Sequence, residues 1–364
     1  MSFSHLPLPH PRPDAAEFAK IIMGQNTPTR VPLVEYIIDE PVLCAVVTGL
    51  LGREWAPFSP NRAAQAAYCD NFIEFWFRLG YDCVRFETGF DFGAGVVLAP
   101  DTAGGSRQRA WADEHAGVIH SWEDFDRYRW PQIEDADFFV HEYLDAHLPD
   151  GMGLLTCHAG GVFEHVSRLF SLEGLCLALC EAPDLVQAVT EHVGETMLAY
   201  YRHLAGLKNL TALFQGDDMG FRSQTLIAPD HLRQFFLPWH RRFTQLAHNR
   251  GVPYFLHSCG NLGGIIEDLI ENVGIDAKHS FEDAIFPVEN FYTQYASRIG
   301  VLGGVDINIL AQAGPDGVRA RARTLMDRCG RQGRYAVGSG NSIPNYIPVE
   351  NYLAMVDEAA GFSL

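Results

Sequence analysis

Leu210-Thr-Ala-Leu-Phe-Gln-Gly-Asp-Asp218 is an apolar run closed by two carboxylates; an amphipathic stretch over residues 229–249 follows it, and the next apolar run is Pro253-Tyr-Phe-Leu-His257. Short apolar runs separated by a helical-length stretch read as a parallel strand–helix–strand unit, because parallel strands are covered on both faces and lose the polar alternation of an exposed sheet. The same rhythm extends in both directions. Comparable runs occupy residues 31–38, 83–87, 153–158, 210–215, 253–257, 275–279, 299–304 and 335–338, with helix-like stretches at 63–79, 183–204, 229–249, 265–271, 318–329 and 348–360. Eight alternations predict one (β/α)8 TIM barrel over residues 1–364, of class α/β. Residues 1–30 read as an N-terminal extension. The long insertions fall after the early strands, and residues 94–150, rich in Gly, Trp and acidic side chains, read as an excursion over the rim.

Composition fits this reading. The chain has 364 residues, 47% hydrophobic and 20% charged, with 34 Gly and 20 Pro, enough apolar content for a large core. The formal charge of −18 opposes phosphate backbones and anionic lipid, so no nucleic-acid and no membrane partner is expected. The start lacks a basic and apolar leader, and the longest apolar run, residues 41–52, is too short to span a bilayer, giving an expectation of a cytoplasmic protein. Eight cysteines without a CxxC pair predict small core residues rather than a disulfide framework; Cys176 and Cys180, four apart in an apolar helical stretch, are expected to be buried.

In such a barrel the chemistry sits at the carboxyl ends of the strands. The polar residues found there are Glu35; Arg85 and Glu87; His158; Asp217 and Asp218; His257, Cys259 and Asn261; His279 and Glu282; Asp306; Ser339, Asn341 and Ser342. His257 and Cys259 are two apart on one strand and so project to the same side, where an imidazole and a thiolate suit zinc with an open coordination position. The plainer alternative is a buried cysteine beside a structural histidine. Three other patterns are read as structure. The turn Gly260-Asn-Leu-Gly-Gly264 is a tight strand-to-helix connection. Asp113-Glu-His-Ala-Gly117 is one residue short of a corrinoid-binding signature and reads as loop. Gly338-Ser-Gly-Asn-Ser342 has neither phosphate-loop spacing.

With these residues in view, the sequence resembles the uroporphyrinogen decarboxylase-like superfamily of (β/α)8 barrels from about Val31 to the C-terminus. The likeness is carried by Gln215-Gly-Asp-Asp-Met-Gly220, Phe255-Leu-His-Ser-Cys-Gly-Asn261, Lys278-His-Ser-Phe-Glu-Asp283, Gly303-Gly-Val-Asp306 and Gly338-Ser-Gly-Asn-Ser-Ile-Pro344. The arginine-rich stretch with which true decarboxylases gather a many-carboxylate substrate is replaced here by Arg30-Val-Pro-Leu-Val-Glu-Tyr36. The resemblance is closer to the cobamide-dependent methyltransferase branch, in which zinc is held by a His-x-Cys pair and a later cysteine. His257 and Cys259 match the pair, and Asn341 stands where thiol-methylating relatives carry the later cysteine.

The resemblance therefore implies zinc on His257 and Cys259, with a third ligand from Asp218, His279 or Glu282. The implied function is movement of a methyl group between methylcobalamin, or another corrinoid carried by a partner protein, and a small molecule such as a pterin, thiol or methoxylated compound. In that reading Asp217, Asp218 and Glu87 orient the small molecule or handle its proton, while Arg85, His158, His279 and Asn341 line its pocket. Two rivals accompany it. One is a decarboxylase-like lyase for a carboxylated substrate, resting on Arg85 and on Asp217 or Asp218. The other is a barrel that binds a corrinoid or small ligand without turnover.

Overall fold

The computed structural model describes residues 3–93, 96–100, 108–112 and 117–364. The strands, in chain order, are β1 (Cys83–Thr88), β2 (Val96–Pro100), β3 (Gln108–Ala112), β4 (Gly153–His158), β5 (Leu210–Gly216), β6 (Tyr254–His257), β7 (Ala277–His279), β8 (Gly300–Leu302) and β9 (Tyr335–Ala336). Seven of them form one parallel sheet in the order β1-β4-β5-β6-β7-β8-β9, curled as in a TIM barrel. Each coincides with one of the predicted runs.

The first predicted strand, residues 31–38, takes a reduced form. It joins the far edge of the sheet through parallel bridges at Leu33–Val337 and Ile38–Ile343 rather than through a continuous ladder. Pro32 accepts from Val337 N–H at 2.9 Å but has no N–H to return. Toward β1 the segment is joined by side chains: the Tyr36 hydroxyl donates to Glu87 at 3.0 Å, and the Arg85 guanidinium lies over the Tyr36 ring at 4.3 Å.

Side chains alternate across the barrel wall with the two-residue period of a strand. Val34, Tyr36, Cys83, Leu155, Ala212, Phe214, Phe255, Ala277, Leu302 and Ala336 fill the interior together with Phe18 and Ile22. The last two come from the helix Ala15–Ile22, so the N-terminal extension packs into the barrel interior, Phe18 meeting Phe255 edge-on. Intervening strand residues face the helical layer, where Arg62–Arg78, Pro183–Leu204, Gly314–Cys329 and Val349–Gly361 lie within a few residues of their predicted bounds.

The stretch predicted as one helix over 229–249 is broken into Pro229–His231, a π turn at Leu232–Phe236, and Leu237–Arg250. Pro238 explains the break, since its ring removes one i→i−4 donor and crowds the preceding turn; Leu237 N–H bonds instead to Leu232 O, five residues back.

Cys176 and Cys180 correct an expectation: both are exposed, because their helix, Leu172–Glu181, buries the neighbouring stripe of Leu175 and Leu179. The β1-to-β4 connection contains the antiparallel hairpin β2–β3 and the helices Trp122–Arg127 and Phe139–His147. Asp113 to Ala116 of the motif read as loop lie outside the described residues. No helix among the described residues is long and apolar enough to cross a membrane.

Candidate metal centre

The register of the sheet sets Gly216 of β5, His257 of β6 and His279 of β7 at one level. The chain leaving β5 therefore presents Asp218 beside Cys259, which leaves β6. Two glycines hold the exits together. A Cβ on Gly220 would lie 2.5 Å from Cys259 O, and one on Gly260, whose φ is +78°, would lie 2.4 Å from the Gly220 carbonyl carbon. Neither position accepts a side chain without moving the backbone. In this arrangement Cys259 N–H donates to Asp218 Oδ1 at 2.8 Å.

Three donor atoms converge. His257 Nε2 is 3.4 Å from Cys259 Sγ and 3.6 Å from Asp218 Oδ1, and the ligand atoms of all three residues lie within 4.8 Å of one another. Zinc bonds of about 2.0–2.3 Å give a tetrahedral shell with edges of about 3.3–3.8 Å. The His257 separations fall in that range, so these residues fit a zinc ion with protein ligands on three corners. The Asp218 side chain is 41% exposed, leaving the fourth direction toward the barrel opening.

Hydrogen bonding behind the cluster fixes which nitrogen of His257 is bare. The Ser339 carbonyl can only accept, so His279 Nε2, 3.2 Å away, carries the hydrogen. Burial lowers the His279 pKa to about 3, leaving the ring neutral with a bare Nδ1. That atom accepts from His257 Nδ1 at 2.7 Å. His257, held well below its ordinary pKa first by burial and then by His279, thus turns the lone pair of Nε2 toward Cys259 and Asp218. Tyr36 stacks on the His257 ring with centroids 4.0 Å apart and fixes its plane.

The sulfur is set for an anion. Asn341 Nδ2 donates to Cys259 Sγ at 3.2 Å and Ser280 Oγ at 3.4 Å. Burial and the Asp218 charge nevertheless push the thiol pKa up, and burial pushes the Asp218 carboxyl up as well. A divalent ion among these donors would act in the opposite direction, favouring both the thiolate and the carboxylate.

A family model for uroporphyrinogen decarboxylase (URO-D) matches residues 118–362, well over half of the chain and all of this cluster. The chain belongs to the URO-D family. A methyltransferase from Methanosarcina mazei superposes on this URO-D-family barrel with a TM-score of 0.68 at 17% identity, covering 96% of this chain and 98% of that one, a likeness of fold. An intracellular xylanase, TsXylA from Thermoanaerobacterium saccharolyticum, superposes at a TM-score of 0.35 and 15% identity over 58% of this chain and 73% of that one, too loosely to bear on the site. No curated protein matches the chain in sequence.

The other residues singled out by sequence are distributed over the URO-D-family barrel as follows. His279 stands behind His257 as its hydrogen-bond partner, and Glu282 is exposed and outside the three-donor cluster, so Asp218 is the third donor that the geometry supplies. Asn341 is brought to the cluster, on the sulfur. Asp217 is not. Fully buried, it accepts from the N–H groups of Phe163 and Glu164, both at 3.0 Å, and from His240 Nε2 at 2.9 Å, and so caps the helix Val162–Phe170.

Arg85 and Glu87 face the interior and pair with each other at 2.5 Å. His158, buried, accepts from Phe90 N–H at 2.8 Å through Nε2, and burial lowers its pKa to about 4. Asn261 shapes the turn by accepting from Gly263 N–H, and Asp306 caps the helix Ile307–Gln312. Sequence reasoning missed Tyr36 and Ser280. The period-two alternation that puts Phe255 and His257 inside marks Tyr36 through Val34 as an interior position.

Proposed function

We propose that this chain is a zinc-dependent methyltransferase that moves a methyl group between a corrinoid carried by a partner protein and a small molecule. The observation supporting it is the convergence of Asp218, His257 and Cys259 on one point at the open end of the barrel. His257, Cys259 and Asp218 would hold the zinc, which when bound keeps a small-molecule thiol or alcohol as its anion and so makes it a methyl acceptor at neutral pH.

The chain's own residues serve that task. His279 and Tyr36 fix the ring of His257, Asn341 and Ser280 hold Cys259 Sγ in place, and the partly exposed Asp218 faces the side from which the small molecule and the corrinoid arrive. The fold shared with the Methanosarcina mazei methyltransferase is consistent with this. The lyase reading is the weaker one, because the Arg85 guanidinium is buried and its charge is already matched by Glu87 through Nη2, with Cys157 and the Phe214 carbonyl on the same nitrogen.

The test is to incubate zinc-loaded protein with methylcobalamin and a panel of thiols, alcohols and pterins while following the cobalamin spectrum. Demethylation that a strong chelator abolishes supports the proposal. A spectrum perturbed but never turned over, across the panel, replaces it with a binding barrel; lyase activity that survives the chelator replaces it with the decarboxylase-like reaction.

A further inference from the structure

On the outer side of β7 lies a cavity of about 270 Å³, walled by the loop after β6, the end of β7 and the helix Val288–Tyr295. Ala277 and His279 point into the barrel; Lys278 between them points out and lines this cavity. Its side chain is 5% exposed, and no carboxylate among the described residues pairs with it. Nζ donates to the carbonyls of His279 at 3.1 Å and Ser280 at 2.5 Å and sits 4.3 Å from the Phe281 ring centroid. Two of the three ammonium hydrogens are thus engaged, by neutral acceptors only. Glu282 also lines the cavity but is exposed at its rim.

We propose that this cavity binds a small aromatic carboxylate, its acid group on the remaining N–H of Lys278 and its ring among Phe281, Phe286 and Phe291. A dry cavity of about 150 Å³ already accepts a benzene ring, so the space holds a ring with a short acidic arm. The three phenylalanines offer edge and face contacts to such a ring. Burial of the ammonium lowers the Lys278 pKa to about 8 against the opposing charges of Cys259, Asp218 and Glu282, and a bound carboxylate would add a counter-charge in direct contact. The two carbonyl acceptors and the face of the Phe281 ring favour the ammonium form, so the lysine serves here as a cation.

Ser280 links this cavity to the metal centre, since it lines the one and donates to Cys259 Sγ in the other. The assignment of such an acid as the small-molecule partner rests on the proposed methyl transfer; the binding itself does not.

The experiment is a ligand-observed NMR titration of the full chain at pH 7 with phenylacetate and its neutral twin, phenylacetamide, with zinc quantified in the same preparations. The wild type is expected to bind phenylacetate at one site and at least tenfold more tightly than the amide. Lys278→Met, checked by its melting curve, is expected to remove that preference. Because the variant removes a buried side chain, the acid-to-amide ratio in the wild type stands as a test by itself. Equal affinities, no saturable binding, or a preference that survives in folded Lys278→Met overturn the site. Zinc present without phenylacetate binding defeats this inference and leaves the metal centre; a clear preference in protein that holds no zinc supports the site and defeats the metal reading.

Discussion

On the β1–β4 side of the barrel, Arg85 Nη2 reaches Glu87 at 2.5 Å, Cys157 Sγ at 3.3 Å and Phe214 O at 3.1 Å, and the Tyr36 hydroxyl adds a second donor to Glu87. On the β5–β7 side, Asp218, His257 and Cys259 present one oxygen, one nitrogen and one sulfur to a common point with no cation among them. Both sides are rich in ionisable groups at strand ends. The first brings its own counter-charge, which makes it a structural staple; the second withholds it, which leaves a place for an ion. Density of charged residues at a barrel mouth is therefore a weak guide to a site, and local charge balance is a better one.

The comparison breaks most readily at Arg85. Arg85→Met leaves the partly buried Glu87 without its cation and is expected to cost about 3 kcal/mol in chemical denaturation, the low end for a broken buried pair because Glu87 is 17% exposed, with metal content unchanged. A loss below about 1 kcal/mol would mean that the β1–β4 cluster is not the self-contained unit described.

Next in size is the contrast between two neighbouring carboxylates. Asp217→Ala strips the acceptor from two helix N–H groups and from His240, so a loss of about 2–3 kcal/mol is expected from urea melts, again with metal retained. Asp218→Ala in metal-free protein is expected to cost less, about 1 kcal/mol or below, because the partly exposed side chain gives up one backbone N–H, that of Cys259. Reversed roles for the pair would overturn the placement of the cluster.

The smallest effect sharpens the positioning role of His279. His279→Ala should weaken zinc affinity by about 10–100-fold without abolishing it, and His279→Gln should recover part of that loss, since an amide can accept from His257 Nδ1 and donate to Ser339 O. Competition against a zinc-binding dye gives the ratio; complete loss in both variants would make His279 a ligand.

Much of this was legible in the chain. Strands buried on both faces read as unbroken apolar runs, and so residues 153–158 and 210–215 appear nearly residue for residue as β4 and β5. The weak first strand was partly visible in Pro32, whereas the π turn at Leu232–Phe236 was hidden because a five-residue step looks helical to a pattern of period 3.6. Within the site, His257 and Cys259 could be read from spacing alone. The split between Asp217 and Asp218 was available but unread: Ala212 and Phe214 face inward, so the same alternation carries 218 to the mouth and 217 to the helical layer. Asn341 was marked by its place at the end of the last strand, whereas Ser280 reaches Cys259 only through the closing of the barrel, a tertiary fact with no local signal.

The most direct measurement is the zinc content of the purified full chain beside its His257→Ala, Cys259→Ala and Asp218→Ala variants. The account predicts about one zinc per wild-type chain, abolished in the first two variants and strongly reduced in the third. A wild type free of zinc after reconstitution, or variants that retain it in full, would contradict the existence of the centre.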